Sequence, residues 1–568
     1  MDHEQAIALN EHGKAMIRQG DSDAATAAFV GAVALDPHFA EAHNNLANMH
    51  KRQGQIAASL AGYASALALR PDYVEAHVNL ANTFAGVGRQ QDAIAAYQRA
   101  LALRPSFAPA AQGLATILMT LCGAAQHHHQ AGDDSAAADA CRQVLAVAPN
   151  HAEALNLLGV IACQNNHPET GALLIRQAVA SNGQVANYHA NLAGALTQAG
   201  RFEDAVACCR RALALAPAHA GALNTLGATL SVLGQHTAAA GPLRQAIGVE
   251  PGHAEAHFNL ACVLLAQGDM SAGWREYEWR WQSGYFRNHL REFAQPQWHG
   301  EPAVGRTLLI HAEQGVGDTL QFCRYAPLVA KSGLHVILEV PAPLVRLVQS
   351  LAGVDRVIAR NDPLPPFDLH CPMLSFPLAM GTTLETIPGD VPYLHPEAGL
   401  VVDWRGRLDA MSGSVPRVGL VWAGSPALPG MDSRRSLAPQ ALAPLFTVPG
   451  LQFFSLQKDG PAAPVDFPLV DVMAEVKDYA DTAALVANLD LVISVDTSVL
   501  HLAGAMGKPV WLLDRFGPCW RWMLGRQDTP WYPGLRIFRQ PLAGDWATVL
   551  ADVCAELRQW RDGNRPGV

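Results

Sequence analysis

At roughly 100–200 residues per domain, a chain of 568 residues is too long for a single hydrophobic core. Half of it is apolar, much of that alanine, which favours helix. A formal charge of -10 and a pI near 6.1 exclude the basic stripe of a nucleic-acid binder, so no nucleic-acid partner is expected.

The opening MDHEQAIALNEHGK has neither a basic nor an apolar leader region and reads as helix, which predicts no signal peptide. No run of about 18 apolar residues follows, which predicts no membrane span. The 10 cysteines are scattered, none in a CxxC pair, with Cys208 and Cys209 adjacent within a predicted helix. They read as buried free thiols of a reducing cytoplasm, the expected location.

The first half is periodic. Pro37, Pro71 and Pro105 fall 34 residues apart, Pro149 follows after 44, and Gly183, Pro217 and Pro251 resume the 34-residue spacing. Within each unit the same positions recur: Gly13, Gly20, Ala25, Phe29 and Ala32 in the first, Ala81, Gly88, Ala93, Tyr97 and Ala100 in the third, Ala193, Gly200, Ala205, Cys209 and Ala212 in the sixth. Small residues let two antiparallel helices approach, glycine turns the chain between them, a large residue fills the gap, and proline stops the second helix. These units resemble tetratricopeptide repeats and run from residue 6 to about 281. An eighth unit runs from Ala254 into GWREYEWRW, where Trp274, Tyr277 and Trp281 follow helical spacing; it is expected to cap the array and dock the next domain.

Asn45, Asn79, Asn191 and Asn259 share the sixth position of their units, and AHNNLANMH and AHVNLANTF resemble the repeats of O-GlcNAc transferases. That resemblance implies an asparagine ladder that binds the main chain of an acceptor polypeptide. A carboxamide suits the task, since it both donates and accepts. The alternative is a merely exposed polar position, and Leu157 and Thr225 interrupt any ladder. The ten-residue insertion carries His127, His128 and His129; consecutive helical residues diverge, so they predict an irregular repeat with an exposed loop or helix end rather than a metal site.

From about Gly305 the pattern turns to apolar β-type runs alternating with helical stretches, which predicts parallel sheets. Leu308–His311 reads as a strand, followed by a glycine-bearing loop Glu313–Asp318 and a helix starting near Asp318; HVILEVP, VDRVIA and FDLHCPML read as further strands. A second block begins at Pro416 with RVGLVWAGS, continues through LQFFSLQK, and reaches LDLVISVDTSVLHLAGAMGKPVWLL. A polar link near Asp403–Ser414 separates the blocks. The fold class expected is therefore a superhelix of tetratricopeptide repeats (1–285) followed by an α/β domain of two Rossmann-like halves, 286–402 and 403–568, facing a cleft as in GT-B glycosyltransferases.

EQGVGDTLQF, VGLVWAGS and DTSVLHLAGAMGKPVWLL, with the WRW that follows, resemble glycosyltransferase family 9, which includes the ADP-heptose transferases, and still more the bacterial proteins that join such a domain to tetratricopeptide repeats. The resemblance spans about 305–540. It implies a nucleotide-sugar donor as substrate, no cofactor, and Asp318 as the catalytic base; the alternative for Asp318 is helix capping. Gln314, Gly317 and Gln321 are expected at the same opening, on the acceptor side.

Asp496, Thr497 and Ser498 end a predicted strand and open a helix, whose free amides suit a diphosphate, and His501 lies one turn on. Asp496 would repel phosphate, so it is expected to cap the helix or hold a sugar hydroxyl. The family usually has glycine where this chain has Ser498. Ser425, Lys458 and Arg434 or Arg435 are further donor-side candidates, the cations against a reading as solvated surface charges. Trp520, Trp522 and Trp531 are expected to pack the domain rather than stack on a base. No Asp-x-Asp pair stands where a metal-dependent transferase would place one, which predicts metal-independent, inverting transfer. The function expected is a cytoplasmic protein glycosyltransferase whose repeats recruit a polypeptide, with flagellin or another surface protein as the acceptor by analogy. The alternatives are a heptosyltransferase-like enzyme acting on glycan or lipid, and a non-catalytic repeat scaffold.

Overall fold

The computed structural model describes residues 2–284, 286–424, 434–517 and 519–563. The chain divides into two compact units, Met1–Ala195 and Leu196–Val568.

The first unit is built of helix pairs, beginning with Asp2–Gln19 and Ser22–Leu35, then Ala40–Arg52 and Ile56–Leu69, and then Val74–Gly86 and Gln90–Leu103. The pairing follows from the periodic residues. Gly20, Gly54, Gly88 and Gly132 take φ between 74° and 84°, the left-handed conformation that turns the chain between helices. Asn166 holds the same position in the fifth repeat at φ 66°, as asparagine tolerates. A Cβ on Gly13 would lie 2.6 Å from the buried Phe29 ring, so the large residue fills the space that the small one leaves.

The insertion is absorbed without a loop. It prolongs the first helix of the fourth repeat to Ala108–Gln130, 23 residues against 13 for the corresponding helix Val74–Gly86. His127, His128 and His129 end that helix, where His129 Nδ1 meets Asp134 Oδ1 at 2.7 Å. This helix is long and apolar enough by length and composition to cross a membrane, a property that the sequence pattern did not predict. It nevertheless pairs with Asp134–Val147 as an ordinary repeat and buries Ile117, Leu121 and Ala125 in the core.

The second unit starts within the repeats. Its last pair is Ala254–Gln267 and Met270–Tyr277, and a 3-10 turn, Glu278–Gln282, follows. Two sheets come next. The first comprises β1 (Thr307–His311), β2 (His335–Val340), β3 (Arg356–Ala359) and β4 (Leu369–Pro372), in the order β3-β2-β1-β4, all parallel. The second comprises β5 (Arg417–Val421), β6 (Gln452–Ser455), β7 (Leu469–Asp471), β8 (Leu491–Val495), β9 (Val510–Asp514) and β10 (Leu535–Arg539), in the order β10-β9-β8-β5-β6-β7, again all parallel. Every residue of β5, β8 and β9 is buried, as expected of parallel strands covered on both faces.

One expectation about the join is corrected. The stretch taken as a polar link is a helix, Ala398–Ser412. Trp404 and Leu408, one turn apart, are buried on its inner face, while the outward residues give it its polar average. Trp274 and Tyr277 of the last repeat share one core with Phe322 and Trp520 of the α/β part: Trp274 stands edge-on to Trp520 at 5.2 Å and to Phe322 at 6.2 Å. Trp520, Trp522 and Trp531 are all buried in that core.

Candidate functional site

Both sheets reverse direction of growth at their first strand. In the second sheet the chain builds outward from β5 to β7, then crosses back to place β8 on the other side of β5; in the first, β4 returns to the free side of β1. A crevice forms at such a reversal, outside the carboxyl ends of the strands, because the connections on either side leave in opposite directions. Here both crevices open onto one cleft of about 780 Å³, lined by Gln314, Asp318, Gly424, Lys458, Thr497 and Arg515 among others. These residues all follow the carboxyl ends of strands.

On the first wall, β1 leads through Glu313–Gly315 into the helix Val316–Phe322. Asp318 stands in its first turn, and its Oδ2 accepts a 3.0 Å hydrogen bond from the Gly315 N–H. The carboxylate therefore caps the helix while also lining the cleft. Its Oδ1 is paired with the Arg521 guanidinium, which comes from the turn after β9. Gly317 is required where it stands: a Cβ there would lie 2.9 Å from Cδ2 of His501 on the opposite wall.

Gln321 is not a cleft residue, contrary to expectation. One turn beyond Asp318 its side chain faces inward; it is fully buried and accepts a 2.8 Å bond from Arg521 Nε. Gln314 does line the cleft, and its amide donates to the Tyr277 hydroxyl at 3.2 Å. Beside it, Glu313 receives bonds from Arg280 Nε at 3.0 Å and Nη2 at 3.2 Å. Arg280 is wholly buried and also donates to Glu278 at 2.6 Å and Ser375 at 2.8 Å. Burial drives the Glu313 carboxyl upward from its ordinary range, against the opposing pull of Arg280.

On the second wall, β8 leads through Asp496 and Thr497 into the helix Ser498–Ala505. Thr497 is its N-cap and makes no side-chain cap bond; its hydroxyl instead meets Ser494 Oγ at 3.0 Å. Among the described residues the first N–H groups of this helix are therefore left uncapped by side chains at the cleft, an arrangement suited to an anion. Asp496 is not the cap; it lines the cleft with Oδ1 3.7 Å from His501 Nε2. Burial holds the His501 imidazole down at about 3, so it is neutral, and its Nδ1 meets the Tyr532 hydroxyl at 2.9 Å. The Ser498 hydroxyl lies 2.6 Å from the Tyr479 hydroxyl.

Arg435 and Lys458 line the same cleft, and Lys458 Nζ donates to the Val476 carbonyl at 2.8 Å. Arg434 is exposed, and Ser425 lies outside the described residues. Arg521, Arg515, Tyr479 and Glu313 also line the cleft and were not singled out by sequence reasoning. The WRW motif contained Arg521, and a cation between buried tryptophans was the available signal.

The repeat asparagines have partners. Asn45 Nδ2 donates to Asn10 Oδ1 at 2.9 Å, Asn79 to Asn44 at 3.0 Å, Asn191 to Asn156 at 3.0 Å, and Asn259 to Asn224 at 2.9 Å. Each bond joins one repeat to the preceding one. The interruptions follow the same rule: 35 residues before Leu157 stands Cys122, and 35 before Thr225 stands Ala190, neither an asparagine. All four donors remain half-buried, with part of their surface open. Recurrence of asparagine one position earlier in the unit was the unread signal.

Comparison with known proteins assigns the repeats. Models of the tetratricopeptide repeat match residues 38–106, 186–219, and both 10–65 and 225–273. The chain is 25% identical over 497 residues to Protein FlbA of Caulobacter vibrioides, covering 76% of this chain and 82% of that protein. That share exceeds what the repeats occupy, so the likeness extends into the α/β part. Among solved structures, the chain is similar to the crystal structure of MamA (22% identity, 27% of this chain and 91% of that one, TM-score 0.25). It is also similar to the first repeat domain of Spaghetti (RPAP3) bound to an HSP90 peptide (24% identity, 21% and 94%, TM-score 0.21).

Proposed function

We propose that this tetratricopeptide-repeat chain is a GT-B-type glycosyltransferase that moves a sugar from a nucleotide-sugar donor to a polypeptide recruited by its repeats. The observation that carries the reading is the shared cleft at the reversal points of two parallel sheets, with Asp318 on one wall and the uncapped start of the Ser498–Ala505 helix on the other. In this reading the donor diphosphate sits on the helix amides, and Arg435, Lys458 and Arg515 offset its charge. Asp318 takes the proton of an acceptor hydroxyl as the oxygen attacks the anomeric carbon. The bond from that carbon to the diphosphate breaks on the opposite face, the nucleoside diphosphate carries away the electron pair, and configuration inverts.

No Asp-x-Asp pair lies at the strand ends that line the cleft, and the cations named supply the charge that a metal otherwise would. The transfer is therefore metal-independent. Repeat arrays offer extended surfaces to polypeptides, and the half-buried asparagines fit an extended main chain. The acceptor class is a protein such as flagellin or another surface protein, modified in the cytoplasm before export.

The test is nucleotide release from a panel of nucleotide sugars, with cell lysate as the acceptor source. Release should appear with one donor, survive EDTA, and fall by about 10²- to 10⁴-fold in Asp318→Asn. Absence of release with every donor would favour a scaffold role for the repeats.

A further inference from the structure

Asp318 and Arg521 are 203 residues apart in sequence and come from the two different sheets, yet they form an ion pair at the cleft. Arg521 is itself fixed. Its Nε donates to Gln321 at 2.8 Å, its Nη1 to Cys519 Sγ at 3.2 Å, and its guanidinium lies 4.2 Å over the Trp520 ring. It is 9% exposed, so it is seated in the wall and not a surface charge free to swing. The Gly315 N–H holds the other carboxylate oxygen. A carboxylate has about four lone-pair directions, so these two bonds fix its plane and leave others for the cleft.

We infer that Arg521 is the positioning residue of Asp318: it orients the carboxylate toward the acceptor hydroxyl. The inference rests on Asp318 being the base proposed above. Gln321 belongs to the same device, since it fixes the guanidinium that fixes the carboxylate. Lysine could not substitute, because a single ammonium on a flexible stem cannot reproduce a planar fork held at Asp318, Gln321 and Cys519 together.

Other charged or titratable groups surround Asp318. Glu313 belongs to its own loop, Tyr277 to the last repeat helix, Cys519 to the turn that carries Arg521, and Asp496 and His501 to the opposite wall. Of these, Glu313 and Asp496 would oppose the carboxylate's charge, and Arg521 is the cation bonded to it.

The experiment uses the full-length protein and two variants, Arg521→Gln and Arg521→Lys. In nucleotide-release assays kcat should fall by about 10²-fold in Arg521→Gln and also fall in Arg521→Lys, while the KM for the donor stays near the wild-type value, because Arg521 orients the base and does not hold the donor. Difference infrared spectroscopy against Asp318→Asn, without any nucleotide sugar, reads the carboxylate stretching band of Asp318, whose frequency should shift when the guanidinium is lost in Arg521→Gln. If Arg521→Gln does not fold, a lowered kcat at an unchanged donor KM in Arg521→Lys supports the assignment, and an unchanged kcat overturns it. An identical carboxylate band in wild type and Arg521→Gln also overturns it. A shifted band combined with full transfer by Asp318→Asn overturns the base reading and leaves the pairing standing.

Discussion

At the scale of single residues, burial decides which histidines can carry charge. Burial, reinforced by the neighbouring His370, holds His311 at about 3, against about 6.5 in an unfolded chain. Between those values the unfolded chain binds a proton that the folded one refuses. Its contribution to stability is therefore complete above about pH 6.5 and is lost as pH falls toward 3. Glu313 and Asp514 shift the other way, so His311→Phe, compared with the wild type, isolates the effect. On lowering pH from about 7.5 to about 5.5, the wild type should lose about 1.4 kcal/mol more than the variant in urea unfolding. A second prediction concerns Gly317. In Gly317→Ala the new methyl meets the buried His501 ring, which is held by Tyr532, so stability should fall by about 1–3 kcal/mol. Nucleotide release should fall with it, and an unperturbed unfolding curve would contradict the close approach. Asp318, Thr497 and His501 were legible in the sequence because each belongs to a strand, turn and helix within a dozen residues. Arg521 and Arg280 were not, because their partners are set by packing between segments far apart in the chain. Gln321 was misplaced for a related reason. Helical spacing puts it near Asp318, but only the tertiary fold decides which side of that short helix faces the core.

Among the elements, the repeats and most strands follow from local punctuation. Turn glycines every 34 residues, and uninterrupted β-branched or leucine-rich runs, declare helix pairs and buried parallel strands. The missed strands are telling: β7 is only 3 residues long at a sheet edge, and β10 mixes charge into its pattern as LRIFR. The helix Ala398–Ser412 was hidden because one buried face does not lift its average polarity. The asparagine bonds between repeats belong to this scale too. They explain why the residue disappears wherever its partner does, and they make a quantitative prediction. Asn156→Ala, Asn191→Ala and the double variant should give a coupling of about 0.5–1.5 kcal/mol in a thermodynamic cycle read by chemical denaturation. Zero coupling would leave peptide recognition as the sole account of the ladder.

Across the whole molecule, the division falls inside the repeats, at Ala195, and not at the first strand. The helix Ala186–Gln198 straddles that point, so a fragment comprising residues 186–568 keeps every helix of the second unit intact. If the earlier repeats recruit the acceptor, this fragment should release nucleotide to water or a small acceptor and bind donor by calorimetry as the full chain does, while its transfer to protein is lost. Equal transfer to protein would reject the recruiting role. The aromatic seam of Trp274, Tyr277, Phe322 and Trp520 explains why the final repeat must stay. It also separates what evolution or an engineer is free to vary. Under the proposed function, whole modules upstream of that seam can be gained, lost or exchanged to change the clientele, whereas the terminal module is inherited with the α/β part it buttresses.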